Sequence, residues 1–333
     1  MRFARVVTAV DTHSSGEATR IIIGGIPKLT GRTMAEKQAC FQREFDDLRV
    51  TLLQEPRGFA GLLGAVITEP TVPEADVGVI YLWTGGYFNA CGDSTYSVSA
   101  MLVNTGMVRS KEPITEIVLD TVAGLVKTKV DVKNGEAEEI VMEGTPSFYF
   151  KTVRTEVPGI GEVNADIAYG GLWYAFIDAS RHGFDPTTDN KEDWIRRGWK
   201  IRDHFAEKFP VLHPILTGLK TLDLVSFYAK ARQPWAHAKH ANVFGPQQTC
   251  RSPAGTATNA RMAALYGKGQ LRVGEEFIAE SLIGTIHRGR IKQEVNIGQY
   301  KGILPEVSAT AYITGINQYV IDPRDPLKAG FLL

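Results

Sequence analysis

The stretch CGDSTYSVSAMLVNTG (residues 91–106) has a counterpart in AGTATNARMAALYGKG (residues 254–269). Each opens with a glycine-bearing turn, Cys91-Gly92-Asp93-Ser94-Thr95 in one and Ala254-Gly255-Thr256-Ala257-Thr258 in the other. Each then runs through small and apolar residues to a glycine at the same offset, Gly106 and Gly269. A tight turn, a proline-free run and a terminal glycine predict a helix of about three turns with a glycine C-cap. Two copies of one unit suggest two lobes related by pseudo-twofold symmetry. The pattern also has a plainer explanation, since Gly-small-Thr before a helix is common.

Around these helices the chain reads as short strands. Strand-like runs are expected at 3–10 and 20–24, separated by a polar turn at 11–19. A helix is expected near 33–45, where Met34, Gln38 and Phe41 recur at helical spacing. Further strands are expected at 49–53, 64–67, 77–81, 116–120, 126–132 and 139–143. Many short strands with Gly/Pro punctuation and few helices predict an α+β fold rather than a regular βαβ succession. The polar segment 134–139 is expected near the join of the lobes. These are placed at 1–125 with 306–333, carrying Cys91, and at 126–305, carrying the 250–258 motif.

The 333 residues suggest roughly two domains. With 44% hydrophobic and 22% charged residues, the chain can bury a full core without metals or disulfides. Lys+Arg and Asp+Glu each number 37, so no basic surplus argues for nucleic acid or an anionic membrane. No segment supplies the roughly 20 apolar residues of a membrane span, and the N-terminal run has no secretory pattern. Cys40, Cys91 and Cys250 are far apart and form no CxxC, which suggests a reduced, cytoplasmic setting. Gly85-Gly86 and Gly170-Gly171 make neither a GxGxxG nor a P-loop, so no nucleotide is expected.

A glycine turn entering a helix presents free backbone N–H groups and the positive end of the helix dipole. Such an entrance suits a carboxylate or phosphate. A cysteine there is expected to have its thiol pKa lowered, and a thiolate beside the α-carbon of an amino acid is a plausible general base. The plainer alternative for Cys91 is a buried, inert cysteine. The polar turn of Asn89, Gly92, Asp93 and Ser94 argues against burial.

ACGDST (90–95) resembles the first catalytic motif of the proline racemase family, MCGHG, and CRSPAGTAT (250–258) resembles the second, DRSPCGTGT. VDTHSSGEATRIIIGG (10–25), EPRGFAGLLGAVITEPTVPEADVGVIYL (55–82), IAYGGLWYAFIDA (167–179) and AYITGINQYVIDPRDPLKAGF (311–331) also match family blocks in order. The resemblance covers essentially the whole chain. It implies a fold like that of diaminopimelate epimerase, two α/β lobes each wrapping sheet around a central helix, with the active site at their interface. It implies chemistry at an amino-acid α-carbon by two cysteines, one on each face, without pyridoxal phosphate or metal. Backbone amides of both helix entrances hold the carboxylate, and homodimers are a common outcome in the family.

Matched position by position, the first cysteine is Cys91, the catalytic candidate. The second is replaced by Ala254, whose methyl cannot move a proton. The first-motif His is replaced by Asp93 and the second-motif Asp by Cys250, as if a carboxylate had been exchanged between motifs. Asp93 is a candidate partner for a substrate ammonium. Cys250 is either a second thiol from another direction or a small pocket-lining residue. Ala257 replaces a family glycine, and Phe59 stands where many members carry His. Trans-3-hydroxy-L-proline dehydratases share the one-thiol logic, carrying Thr in place of the second cysteine. The expectation is therefore a cofactor-free lyase of that type acting on a small or cyclic amino acid. Its substrate contacts are expected from Gly92, Asp93, Ser94, Cys250, Ala254, Gly255 and Thr256. The alternatives are an epimerase or racemase with Cys250 or water as second acid, and a non-catalytic amino-acid-binding homologue.

Several other residues have two readings. His13 and Glu17 line the cleft or serve the turn that Asp11, Thr12 and Ser14 stabilise. Tyr87 and Asn89 are candidates to shape the pocket. Arg251 is expected to be structural. His237 and His240 have metal-like spacing but no sequence partner, and no metal is expected.

Overall fold

In the computed structural model, residues 5–245 and 248–333 are described. The first two residues of the strand expected at 3–10 lie outside them. The chain divides into two compact units, Met1–Met142 with Ala309–Leu333, and Glu143–Ser308. Unit 1 runs β1 (Arg5–Ser14), β2 (Glu17–Gly24), α1 (Met34–Leu53), β3 (Leu63–Thr68), β4 (Val77–Trp83) and β5 (Gly86–Phe88). It continues through α2 (Gly92–Asn104), β6 (Ile114–Thr121), β7 (Gly124–Lys133) and β8 (Glu136–Glu143). Unit 2 holds β9 (Ser147–Val157), β10 (Gly161–Tyr169), β11 (Trp173–Asp178), α3 (Lys191–Lys208), β12 (Leu224–Ala229) and β13 (Ala238–Gly245). Then come β14 (Gln248–Thr249), α4 (Gly255–Gly267), β15 (Glu276–Glu280), β16 (Ile286–Ile297) and β17 (Tyr300–Ala309), before β18 (Ala311–Ile321) returns to unit 1.

The joins fall later than expected on both crossings. The polar segment 134–139 lies shortly before the first join, at 142/143, and begins with Asn134 and Gly135. Both have positive φ and close the hairpin between β7 and β8, which stays with unit 1 because β7 also pairs with β6. The turn expected at 11–19 shrinks likewise to Ser15 and Gly16, with β1 and β2 paired up to them.

In unit 1 the order β18–β1–β2–β3–β4–β6–β7–β8 is antiparallel except for the β2–β3 and β4–β6 pairs. In unit 2 the order β9–β10–β11–β12–β13–β15–β16–β17 is antiparallel except for β11–β12 and β13–β15. The two parallel steps occupy the same places in both orders. In unit 2 β17 also pairs with β9, through Gly302 opposite Phe148, so that the strands form a ring.

Helix α2 is buried from Gly92 to Val103, and α4 is nearly as deeply covered, so each is a core helix rather than an amphipathic surface one. Small side chains make this fit. Gly170 lies so close to α4 that an added Cβ would stand 2.2 Å from the Ala260 nitrogen and 2.5 Å from the Thr256 oxygen. The Gly170-Gly171 pair thus has a packing role.

Helix α1 corrects the strand expected at 49–53. It kinks at Phe45 (φ −139°) and then continues to Leu53. Leu48, Leu52 and Leu53 carry its buried face over Val7, Ile22, Val66, Ile80 and Leu82. Each such fully buried side chain contributes roughly 1.5–3 kcal/mol, enough to outweigh the weak strand preference of Val50 and Thr51.

Candidate active site

Cys91 is the N-cap of α2, in extended conformation (φ −148°, ψ 113°), and Gly92 is the first helical residue. The Cys91 carbonyl accepts from the Thr95 N–H at 3.0 Å and the Thr95 hydroxyl at 2.7 Å. Thr95 is held in turn by the Tyr81 hydroxyl at 2.6 Å. The next turn is buried, with Asp93 5% and Ser94 0% exposed. Ser94 Oγ lies 3.4 Å from Thr19 Oγ1 on β2, which adds that strand to the thiol's surroundings.

The thiol departs from the lowered pKa expected at a helix entrance. Its pKa is pushed up to about 12, first by burial and then by the Asp93 carboxylate, with a smaller contribution from Glu17. The Ser94 hydroxyl and N–H oppose this, favouring the thiolate as the helix-entrance argument requires. They are outweighed by the desolvation of the half-buried thiol and by the neighbouring Asp93 carboxylate.

The second motif folds differently in detail. Ala254, the N-cap of α4, has φ 63° and ψ 120°, a conformation an L-residue seldom takes. Its N–H donates to Ser252 Oγ at 3.0 Å, and its carbonyl accepts from the N–H and hydroxyl of Thr258, both at 2.9 Å. Asn242 Nδ2 donates to the Pro253 carbonyl at 2.9 Å. The Thr256 hydroxyl meets the Tyr174 hydroxyl at 2.7 Å. Cys250 is half-buried, its N–H donates to the Asn242 carbonyl, and its side chain packs against the apolar cluster that contains Ala254 and Ala257.

Unit 1 therefore brings Cys91, Gly92, Asp93 and Ser94 into one turn, and unit 2 gathers Cys250, Ala254, Gly255 and Thr256 around the start of α4. Thr19, Tyr81, Tyr174, Asn242 and Ser252 support these turns and were not apparent in the sequence. Thr19, Tyr81, Tyr174 and Asn242 sit on strands remote in the chain, and only the fold brings them to the motifs, whereas Ser252 lies within the second motif itself.

Other candidates take structural places. His13 Nδ1 accepts from the Gly16 N–H at 3.3 Å, while its ring packs on Tyr312. The Tyr87 hydroxyl donates to Asp46 at 2.6 Å, on α1. His237 Nδ1 accepts from the Ile278 N–H, and His240 is buried beside Phe176 and Phe277.

A half-buried thiol thus stands at a helix entrance, beside glycine-turn amides and a carboxylate, in a protein of mixed α/β build. The chain belongs to the proline racemase family, whose model matches residues 9–332. It is 40% identical to a proline racemase of Clostridioides difficile and 41% identical to a 4-hydroxyproline 2-epimerase of Streptosporangium roseum, each over all of both chains. A trans-3-hydroxy-L-proline dehydratase of Burkholderia ambifaria is 33% identical over the same full span. Among solved structures, a hydroxyproline epimerase of Agrobacterium vitis with bound trans-4-hydroxy-L-proline matches with a TM-score of 0.90 at 27% identity. That match covers 100% of this chain and 97% of the other. The family comprises isomerases and a dehydratase, and this chain is an enzyme of that family.

Proposed function

We propose that Cys91 is the single acid/base of a lyase of the trans-3-hydroxy-L-proline dehydratase type. The observation that carries this reading is Ala254, a buried methyl (5% exposed) where the second thiol is expected. In elimination the Cys91 thiolate takes the α-proton, the Cα–Hα electron pair forms the new double bond, the β-hydroxyl leaves as water with a proton from solvent, and the Cys91 thiol returns its proton to solvent. The enamine then tautomerises to a cyclic imine. No proton is delivered to the opposite face, so no second thiol is needed.

The resting thiol is protonated at neutral pH, and Asp93 is one cause. A substrate ammonium paired with Asp93 would offset that charge and ease formation of the thiolate. Backbone N–H groups at the starts of α2 and α4, through Gly92, Ser94, Gly255 and Thr256, are proposed as carboxylate contacts. The repeated strand order of the two units supports a duplicated fold of the diaminopimelate epimerase kind. The reaction as written uses no cofactor.

A second reading is an epimerase or racemase in which Cys250 is the second acid. Its support is the packing of Cys250 against the cluster that holds Ala254. Incubation with trans-3-hydroxy-L-proline and trapping of the imine with o-aminobenzaldehyde tests the first reading. Imine formation supports it, and clear turnover of another amino acid without imine overturns it. Solvent deuterium at Cα with inversion of a hydroxyproline or proline would establish the second.

A further inference from the structure

Unit 2 contains a cavity of about 440 Å³ lined by Asp178, Tyr228, Lys230, His237, Arg261 and Phe277, with further apolar residues. Leu265 of α4 also lines it, and at 1.5 Å per residue that position is about 15 Å along the helix from Gly255. The cavity is therefore separate from the Ala254 turn.

Its central feature is Arg261, 8% exposed. The guanidinium carbon sits 3.8 Å from the centre of the Tyr228 ring, so one face of the group is stacked. Its Nε is buried without an acceptor. The nearest carboxylate oxygen, on Asp166, is 3.7 Å from Nη1. That carboxylate already accepts from Lys268 Nζ at 3.0 and 2.8 Å and from Thr152 Oγ1 at 2.6 Å. A buried guanidinium N–H without an acceptor is costly unless something supplies one.

The remaining lining tells what that acceptor is. Lys230 adds positive charge. Among the described lining residues Asp178 is the one carboxylate, and it is engaged by the Ser180 N–H and hydroxyl at 3.1 and 2.6 Å and by Arg181 at 3.5 Å. Because His237 Nδ1 accepts from the Ile278 N–H, the proton of its neutral ring is on Nε2, a further donor. Ala229, Ala238, Leu271 and Phe277 form apolar walls. We infer that this cavity is a second ligand site, taking a small organic acid whose carboxylate is gripped by the Arg261 fork and whose flat apolar body lies along those walls.

The test is a fluorine NMR titration of the whole protein with 4-fluorobenzoate, with inorganic phosphate as competitor. Saturable binding is expected in the native protein and in Cys91→Ser. It should weaken by at least about tenfold in Arg261→Met, which keeps the stem and loses the donors. Ala229→Phe, which fills the cavity from a half-buried strand end, should weaken it similarly and covers the case that Arg261→Met does not fold. Absence of saturable binding, native-like binding by both variants, loss of binding in Cys91→Ser, or displacement by phosphate at equal affinity would overturn the assignment.

Discussion

Asp93 stands two residues beyond Cys91 in the first turn of α2, its carboxylate buried and the thiol half-buried. After burial itself, the Asp93 carboxylate is the largest influence holding the thiol protonated. Two features of one turn thus oppose each other, with Ser94 and the helix start favouring the thiolate and Asp93 disfavouring it.

Asp93→Asn removes the negative charge and keeps the shape. The thiol pKa should fall, and alkylation of Cys91 by iodoacetamide at mildly alkaline pH should speed up. Mass spectrometry of the Cys91 peptide across a pH series measures this. An unchanged profile would show that burial alone sets the thiol. Ser94→Ala should shift the same profile the other way.

His240 and His287 give the fold a pH dependence with a definite sign. Burial lowers both from the ordinary 6.5 to about 3, with the Arg261 charge adding to the effect at His240. The unfolded chain binds protons that the folded chain does not between those values. Stability is therefore full above about pH 6.5 and is lost as pH falls toward 3. Each histidine adds a slope of up to about 1.4 kcal/mol per pH unit in that window. Urea denaturation at a series of pH values should show this loss, and His240→Gln should make it shallower.

Arg20 ties β2 to the end of α1. It pairs with Asp11 at 2.8 and 3.0 Å, donates to the carbonyls of Leu52 and Arg57, and stacks on Tyr319 with 4.0 Å to the ring centre. Arg20→Met should cost about 3–5 kcal/mol, because it leaves buried acceptors and a carboxylate without their partner. Denaturant unfolding reads the loss, and Asp11→Asn in the same chain should recover part of it.

Gly170→Ala tests the closeness of β10's end to α4. The added methyl meets backbone atoms of Thr256 and Ala260, which cannot swing aside as a flexible side chain would. A loss of about 1–3 kcal/mol is expected. Gly106→Ala offers a contrast at a helix end, where nothing lies within 4 Å and only the positive φ resists the change.

The two central helices were legible because their signals are local. Gly106 and Gly269 both take left-handed φ, 69° and 70°, just beyond α2 and α4. The expected strand at 49–53 failed because its alternation was weighed without the leucines that lengthen the buried face of α1 past the Phe45 kink. The direction of the Cys91 shift was also beyond local reading. A helix entrance is visible in a sequence, but the depth of the enclosure around it is not. Arg261 gave no signal at all, since a basic residue in an apolar helix looks the same whether it is solvated, paired or unused.

The pairing of β18 with β1 has a bearing on how the chain is made. Unit 2 is one continuous stretch, whereas unit 1 is assembled from Met1–Met142 and Ala309–Leu333. During synthesis all of unit 2 is translated before β18, and until β18 pairs, β1 keeps an unzipped flank. The unit bearing Cys91 therefore gains its last strand only after every residue of the other unit has been joined.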